Sequence, residues 1–240
     1  MKRFFSFLIV AVSALFVAPS CEKEDEWSGG TSSTIVSRIE ISREGLSYSI
    51  DFTYDSAGRV STMSVVDSTT EGATKKLTCK YSDDEFTIST GGIVVDRYSY
   101  ENDYIISWVS AYEDSSIYQY ANGKVASYEQ SGYTYNYEWN GENISSHPYN
   151  ATTAMHYSER YNNYTIDINS FVLSMYNLGS IYDYATLIKR LPAYSINLLD
   201  GVSHENGRDI AFEYKFEDKS FTIDLLDDSQ TAYVVTVQLQ

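Results

Sequence analysis

From Ile35 onward the apolar positions recur with a period of two. Leu46, Tyr48, Ile50, Phe52 and Tyr54 alternate with Ser47, Ser49, Asp51 and Thr53. Tyr133, Tyr135, Tyr137 and Trp139 do the same, as do Ile210, Phe212, Tyr214 and Phe216, and the chain closes on Thr231, Tyr233, Val235, Val237 and Leu239. Such alternation predicts strands with one buried and one wetted face, hence antiparallel sheet. Aromatic and β-branched side chains suit that half-buried surface. Turn signals punctuate the strands: Ser56-Ala57-Gly58, Asp83-Asp84, Gly91-Gly92, Asn122-Gly123 and Asn140-Gly141. The Asn-Gly pairs predict hairpins most strongly, because both residues accept positive φ.

The strands repeat. An aromatic-x-aromatic pair precedes a turn at Phe52-Tyr54, Tyr98-Tyr100, Tyr118-Tyr120 and Tyr137-Trp139, with Cys79-Tyr81 a weaker copy and Phe212-Tyr214 a later one. Val60, Ile105, Val125 and Ile144 follow the turns. Tyr81, Tyr100, Tyr120 and Trp139 are spaced by 19, 20 and 19 residues. A period of that size means a hairpin unit that buries its apolar face only against its neighbours. One stretch breaks the rule. Phe171, Met175 and Leu178, then Tyr184, Leu187, Ile188 and Leu191, follow helical spacing, with Ser180 and Asp183 as a cap pair and Pro192 as a stop. The expected fold is all-β: an antiparallel meander of short strands, curved or barrel-like, with one helical insertion near 170–191 covering an open end or apolar face.

Composition adds limits. The 240 residues include 33 acidic and 17 basic side chains, a formal charge of −16, and 23 tyrosines. So aromatic a chain is not disordered. The acid excess argues against nucleic acid as a partner, since phosphate binding draws on Lys and Arg. Two cysteines make no disulfide framework, and three histidines leave little for zinc.

The first residues carry targeting information. Lys2 and Arg3 precede an apolar run from Phe4 to Val17, too short to span a bilayer, which takes about 20 residues. Residues 1–20 therefore read as a signal peptide. Ala18-Pro19-Ser20-Cys21 resembles a bacterial lipobox, with Ala18 where Leu is usual; Ala18-x-Ser20 also reads as an ordinary cleavage site. Both readings cut before Cys21 and differ in whether it carries lipid. The cysteine at the cut, and the acidic and Gly/Ser-rich tether over 21–34, favour lipid. Residues 35–240 then form a single domain, attached to the membrane through Cys21. Short strands, the absence of a terminal aromatic and the redundancy of a lipid anchor argue against an integral outer-membrane barrel.

Two further motifs carry a resemblance. Lys23-Glu24-Asp25-Glu26 resembles the export signal of Bacteroidetes surface lipoproteins, and Tyr54-Asp55-Ser56-Ala57-Gly58-Arg59 resembles the tyrosine-aspartate repeat of large β-shell proteins. The layout over Ile35–Gln240 is similar to a Bacteroidetes surface lipoprotein family of unknown function with a porin-like β fold. The resemblance implies a lipid-anchored outer-membrane location facing the cell exterior, and it carries no activity.

Candidate chemistry is sparse. No cofactor is expected. His147, His156 and His204 lack zinc-site spacing and read as loop residues. Asp83-Asp84-Glu85 and Asp227-Asp228 read as charged hairpin tips and Cys79 as a buried hydrophobe. No catalytic residue stands out, so the question of enzyme activity stays open and leans to no. The ligand-binding candidates are the tyrosines off the alternating pattern: Tyr104, Tyr112, Tyr128, Tyr149, Tyr161, Tyr164 and Tyr182, placed near turns where exposure and binding residues concentrate. The expected role is a surface binding or accessory protein for a glycan or envelope protein; the alternatives are a polysaccharide-acting hydrolase and a purely structural envelope protein.

Overall fold

A computed structural model describes residues 34–43, 46–67, 73–101, 104–112, 114–147, 150–178, 195–227 and 230–240. The expected signal peptide, Cys21 and the tether up to 33 lie outside the described residues, as do Ser180, Asp183 and the second half of the expected helical insertion. Seventeen strands form one antiparallel sheet. They begin with β1 (Val36–Arg43), β2 (Leu46–Tyr54), β3 (Val60–Asp67), β4 (Ala73–Tyr81), β5 (Glu85–Thr90) and β6 (Ile93–Glu101). Next come β7 (Tyr104–Ser110), β8 (Ser115–Ala121), β9 (Lys124–Gln130), β10 (Tyr133–Asn136), β11 (Glu138–Asn140) and β12 (Asn143–His147). After β13 (Asn150–Tyr161) the chain forms α1 (Ile168–Leu178), then β14 (Asn197–His204), β15 (Asp209–Phe216), β16 (Ser220–Asp227) and β17 (Gln230–Leu239).

Consecutive strands pair, and β17 returns to pair with β1, with Val36 opposite Leu239. One stave changes partner midway. Interrupted at Tyr137, it bonds β9 through β10 and β12 through β11. The sheet is thus a nearly closed barrel. Thr34 and Gln240, the ends of the described residues, lie at one end of it, here the terminal end, together with the turns that follow β2, β4, β8, β11 and β15.

The two faces differ sharply. Ile39, Ile50, Met63, Leu77, Phe86, Ile88, Phe212, Ile223 and Val235 are buried on the inner face, and Cys79 lies among them. The outer face carries ion pairs, including Arg38 with Glu40 and Asp51, Arg97 with Glu85, and Lys215 with Asp224. A membrane barrel needs the reverse, an apolar outer band around a polar lumen. Strand length does not decide the matter: β2, β4 and β6 have nine residues, β17 ten and β13 twelve. Most strands are as short as expected, at eight residues or fewer, and face polarity adds the stronger argument against insertion.

The repeat has a physical cause. In five hairpins the second aromatic donates to a main-chain carbonyl of the preceding strand: Tyr54 to Val36 (2.5 Å), Tyr81 to Val60 (2.8 Å), Tyr120 to Ile105 (2.5 Å), Trp139 to Val125 (2.9 Å) and Tyr214 to Leu199 (2.8 Å). The last paired residues are Arg38–Asp51, Thr62–Thr78, Ser107–Ile117, Ser127–Asn136 and Gly201–Ala211. Each acceptor therefore lies two positions before the pairing stops, and each donor three positions after it. The strands part at the terminal end, and the aromatic tip satisfies a carbonyl that would otherwise be buried unpaired. Burial pushes the Tyr54 hydroxyl up to about 12 and those of Tyr120 and Tyr214 higher still, so they remain donors.

The helix begins earlier than expected. Asp167 caps it: its Oδ1 accepts from the Asn169 main-chain N–H at 3.1 Å and its Oδ2 from the Ser170 hydroxyl at 2.6 Å. Ile166, Ile168, Phe171 and Val172 are buried in the core cluster. Asn169 latches the helix to β14, donating to the Asn197 carbonyl at 2.7 Å and accepting from the Leu199 N–H at 2.7 Å. Those two groups lie in the stretch where β14 has parted from β15. The helix start thus plugs the terminal end, in agreement with the expected covering role.

Two local expectations shift. His147, His156 and His204 belong to β12, β13 and β14 rather than to loops, and a Cβ on Gly201 of β14 would lie 3.2 Å from the Ile210 carbonyl, tight for any side chain. The turn expected at Asn140-Gly141 sits one residue later, after Asn140 pairs with Asn143.

Candidate functional site

At the far end of the barrel, β6 to β10 place a distinctive set of side chains on the inner face. Trp108, Ser116, Gln130 and Tyr133 stand directly opposite one another across β7, β8, β9 and β10. Strand spacing gives this row a span of about 14 Å. A deeper row, Tyr118, Tyr128 and Tyr135, lies beneath it. The Tyr128 and Tyr135 rings stack at 4.8 Å, and Tyr118 and Tyr137 each lie 5.9 Å from Tyr128. The rows form because tyrosines two apart on a strand share a face and meet their cross-strand partners.

Near the far end these inner positions outrun the core. Tyr133 is 68% exposed and so is Ile93 of β6, while Tyr112, in the turn between β7 and β8, is 87% exposed. Ser116 is buried and Trp108 and Gln130 are half-buried. The Trp108 indole donates to Asp96 Oδ1 at 3.0 Å. Burial raises the Asp96 carboxyl above its ordinary range, offset in part by that bond and by the Lys75 charge. Flat rings beside an amide and a carboxyl can stack on an apolar ring face and bond its hydroxyls.

The sequence-derived candidates separate. Tyr112 is on this rim. Tyr128, expected near a turn and exposed, is instead 4% exposed within β9, because the turn falls later, at Ser131-Gly132 with φ of 54° and 79°. Tyr104 is half-buried against Tyr120, with ring centroids 4.8 Å apart. Tyr164 packs on Phe221 at 5.0 Å, and Tyr161 is exposed where β13 meets the terminal end. Tyr149 and Tyr182 lie outside the described residues. Tyr133 and Trp108 were absent from the candidates, since alternation assigned Tyr133 to a sheet face. The Ser-Gly turn just before it is the signal that marks it as a rim residue.

Other chemistry stays dispersed. His156 Nε2 and the Ser203 hydroxyl are 2.9 Å apart, and His204 Nδ1 is 3.4 Å from the Thr153 hydroxyl. Among the described residues no three His, Cys, Asp or Glu side chains come together as a metal site would require. Burial pushes the Cys79 thiol up to about 12, consistent with a packing role.

No family model matches the chain, and no curated protein does. Among solved structures it is similar to a porin-like protein from Bacteroides uniformis, with 14% identity and a TM-score of 0.52 over 85% of this chain and 97% of that one. It is also similar to a porin-like protein from Bacteroides vulgatus, with 12% identity and a TM-score of 0.51 over 86% of this chain and 98% of that one. At these identities the likeness is one of fold, and it extends over nearly the whole length of each neighbour.

Proposed function

We propose that the protein is a cell-envelope binding protein, held at the outer membrane by lipid on Cys21 and facing the exterior, that catches a glycan or another envelope component at its far end. The observation that carries this reading is the row of Trp108, Gln130 and Tyr133 on an inner face that opens to solvent at the end of the barrel opposite Thr34 and Gln240. Thr34, where the tether enters, bridges to Tyr164 at the terminal end. An anchor attached there puts the aromatic end away from the membrane. The porin-like neighbours from Bacteroides accord with an envelope setting. The polar outer face and filled inner face favour an anchored barrel over a bilayer-spanning pore.

Cell fractionation tests the anchor, and ligand capture tests the site. Cys21→Ala should move the chain from the membrane to the soluble fraction, and added protease should reach the wild type on intact cells. The mature chain should retain glycans on an array, and Tyr112→Ala and Tyr133→Ala should weaken retention. A Cys21→Ala protein that stays membrane-bound defeats the lipid anchor; an array with no bound glycan defeats the glycan reading.

A further inference from the structure

The chemistry of the far-end row narrows its ligand. On the inner face of β6 to β10, Asp96 is the one ionisable carboxylate or cation among the described residues. The two cations on these strands are engaged elsewhere: Arg97 pairs with Glu85 on the outer face, and Lys124 bonds Glu142 and the Gly141 carbonyl at the terminal end. The charge of Lys75, on β4 two strands away, acts on Asp96 itself. A uronate, sulfate or phosphate laid on this row would lose water and meet no Arg or Lys on these strands, in a chain whose formal charge is −16. A ligand with hydroxyls alone meets rings, an amide and a carboxyl acceptor, all suited to it.

The geometry adds a second constraint. Trp108 and Tyr133 are three strand steps apart, about 14 Å, with Gln130 between them. One sugar ring cannot touch both aromatics, whereas several linked rings can.

Resting on the glycan reading above, we infer that this row binds an uncharged oligosaccharide several rings long, lying across β7 to β10 with its ends stacked on Trp108 and Tyr133, and that it rejects acidic polysaccharides. Since Tyr133 is mostly exposed, Tyr133→Ala removes a stacking surface without opening the core.

The experiment uses the mature chain against neutral and acidic oligosaccharides of graded length, with Tyr133→Ala as the site variant and Tyr161→Ala, at the opposite end, as the control. The expected result is affinity for neutral chains that rises with length until the row is covered and changes little with added salt. Tyr133→Ala should lower it roughly tenfold, the loss of about one stacked ring, and Tyr161→Ala should not. Preference for acidic chains that is still lost with Tyr133→Ala overturns the charge class and leaves the glycan reading standing. Full binding of a monosaccharide overturns the length requirement. Binding that ignores Tyr133→Ala overturns the row as the site. Capture of no glycan overturns this inference and the glycan reading together.

Discussion

Trp139 donates its indole N–H to the Val125 carbonyl across 2.9 Å, filling the place that a tyrosine hydroxyl fills in four other hairpins. Tyrosine and tryptophan are interchangeable there for one reason: each carries a donor at the far tip of a flat apolar body. Tyr81→Phe, Tyr120→Phe and Tyr214→Phe keep the ring and remove the donor, and each should cost about 1 kcal/mol. Trp139→Phe should cost at least as much, and Trp139→Tyr less. Urea unfolding measures these. If the Phe variants match the wild type, ring packing alone closes the hairpins.

Asn169 is the latch between helix and wall. Asn169→Ala leaves the Asn197 carbonyl and the Leu199 N–H of β14 without their side-chain partner, so a loss of about 2–3 kcal/mol is expected. Hydrogen exchange at the Leu199 amide should speed up more than at Ile223, whose strand pairs along its length with β17. Equal acceleration at both would mean that the helix start does not hold β14.

The pH dependence has two opposing parts. At Asp227 the Arg208 guanidinium holds the carboxyl below the ordinary range. At Asp55 desolvation pulls upward but is outweighed by the bonds from Arg59 and the Ala57 N–H. Both contribute stability above the unfolded carboxyl value of about 3.9, and it is lost as pH falls through their lower folded values. Asp96 is shifted up, so its contribution is complete below about 3.9 and is lost as pH rises through its folded value. Stability should therefore peak at mildly acidic pH. Asp96→Asn should stabilise the protein at neutral pH and gain little at acid pH; a gain equal at both rules out Asp96 as the source.

Cys79 should resist thiol reagents in the folded state. In a chain lacking Cys21, Ellman's reagent should react only after unfolding, because the remaining thiol is buried and shifted up to about 12. Prompt reaction of the native protein would show that β4 opens readily.

Period-two alternation and the aromatic-x-aromatic repeat revealed strands, hairpins and even the positions that bond across the parted staves. Tyr81 earned a place in the weak Cys79-Tyr81 copy because its own position, not its partner's identity, makes the bond. Barrel closure was not legible, since nothing near Val36 says that Leu239 will lie beside it. The cap of α1 was not legible, because Asp167 follows apolar Ile166 and serves as cap through its buried bonds. Tyr133 escaped notice for a geometric reason: alternation gives the face of a side chain but not its height along the barrel.

The pairing of the first strand with the last also constrains when the molecule can finish folding. Ser37 donates its hydroxyl to the Gln238 carbonyl, and the Gln240 amide reaches the Ile35 carbonyl at 3.0 Å. Until β17 has been synthesised, β1 and β16 both present unpaired edges, the condition under which chains pair with their neighbours instead of themselves. A chain truncated before β17 would thus be an aggregation-prone open ribbon rather than a slightly smaller barrel.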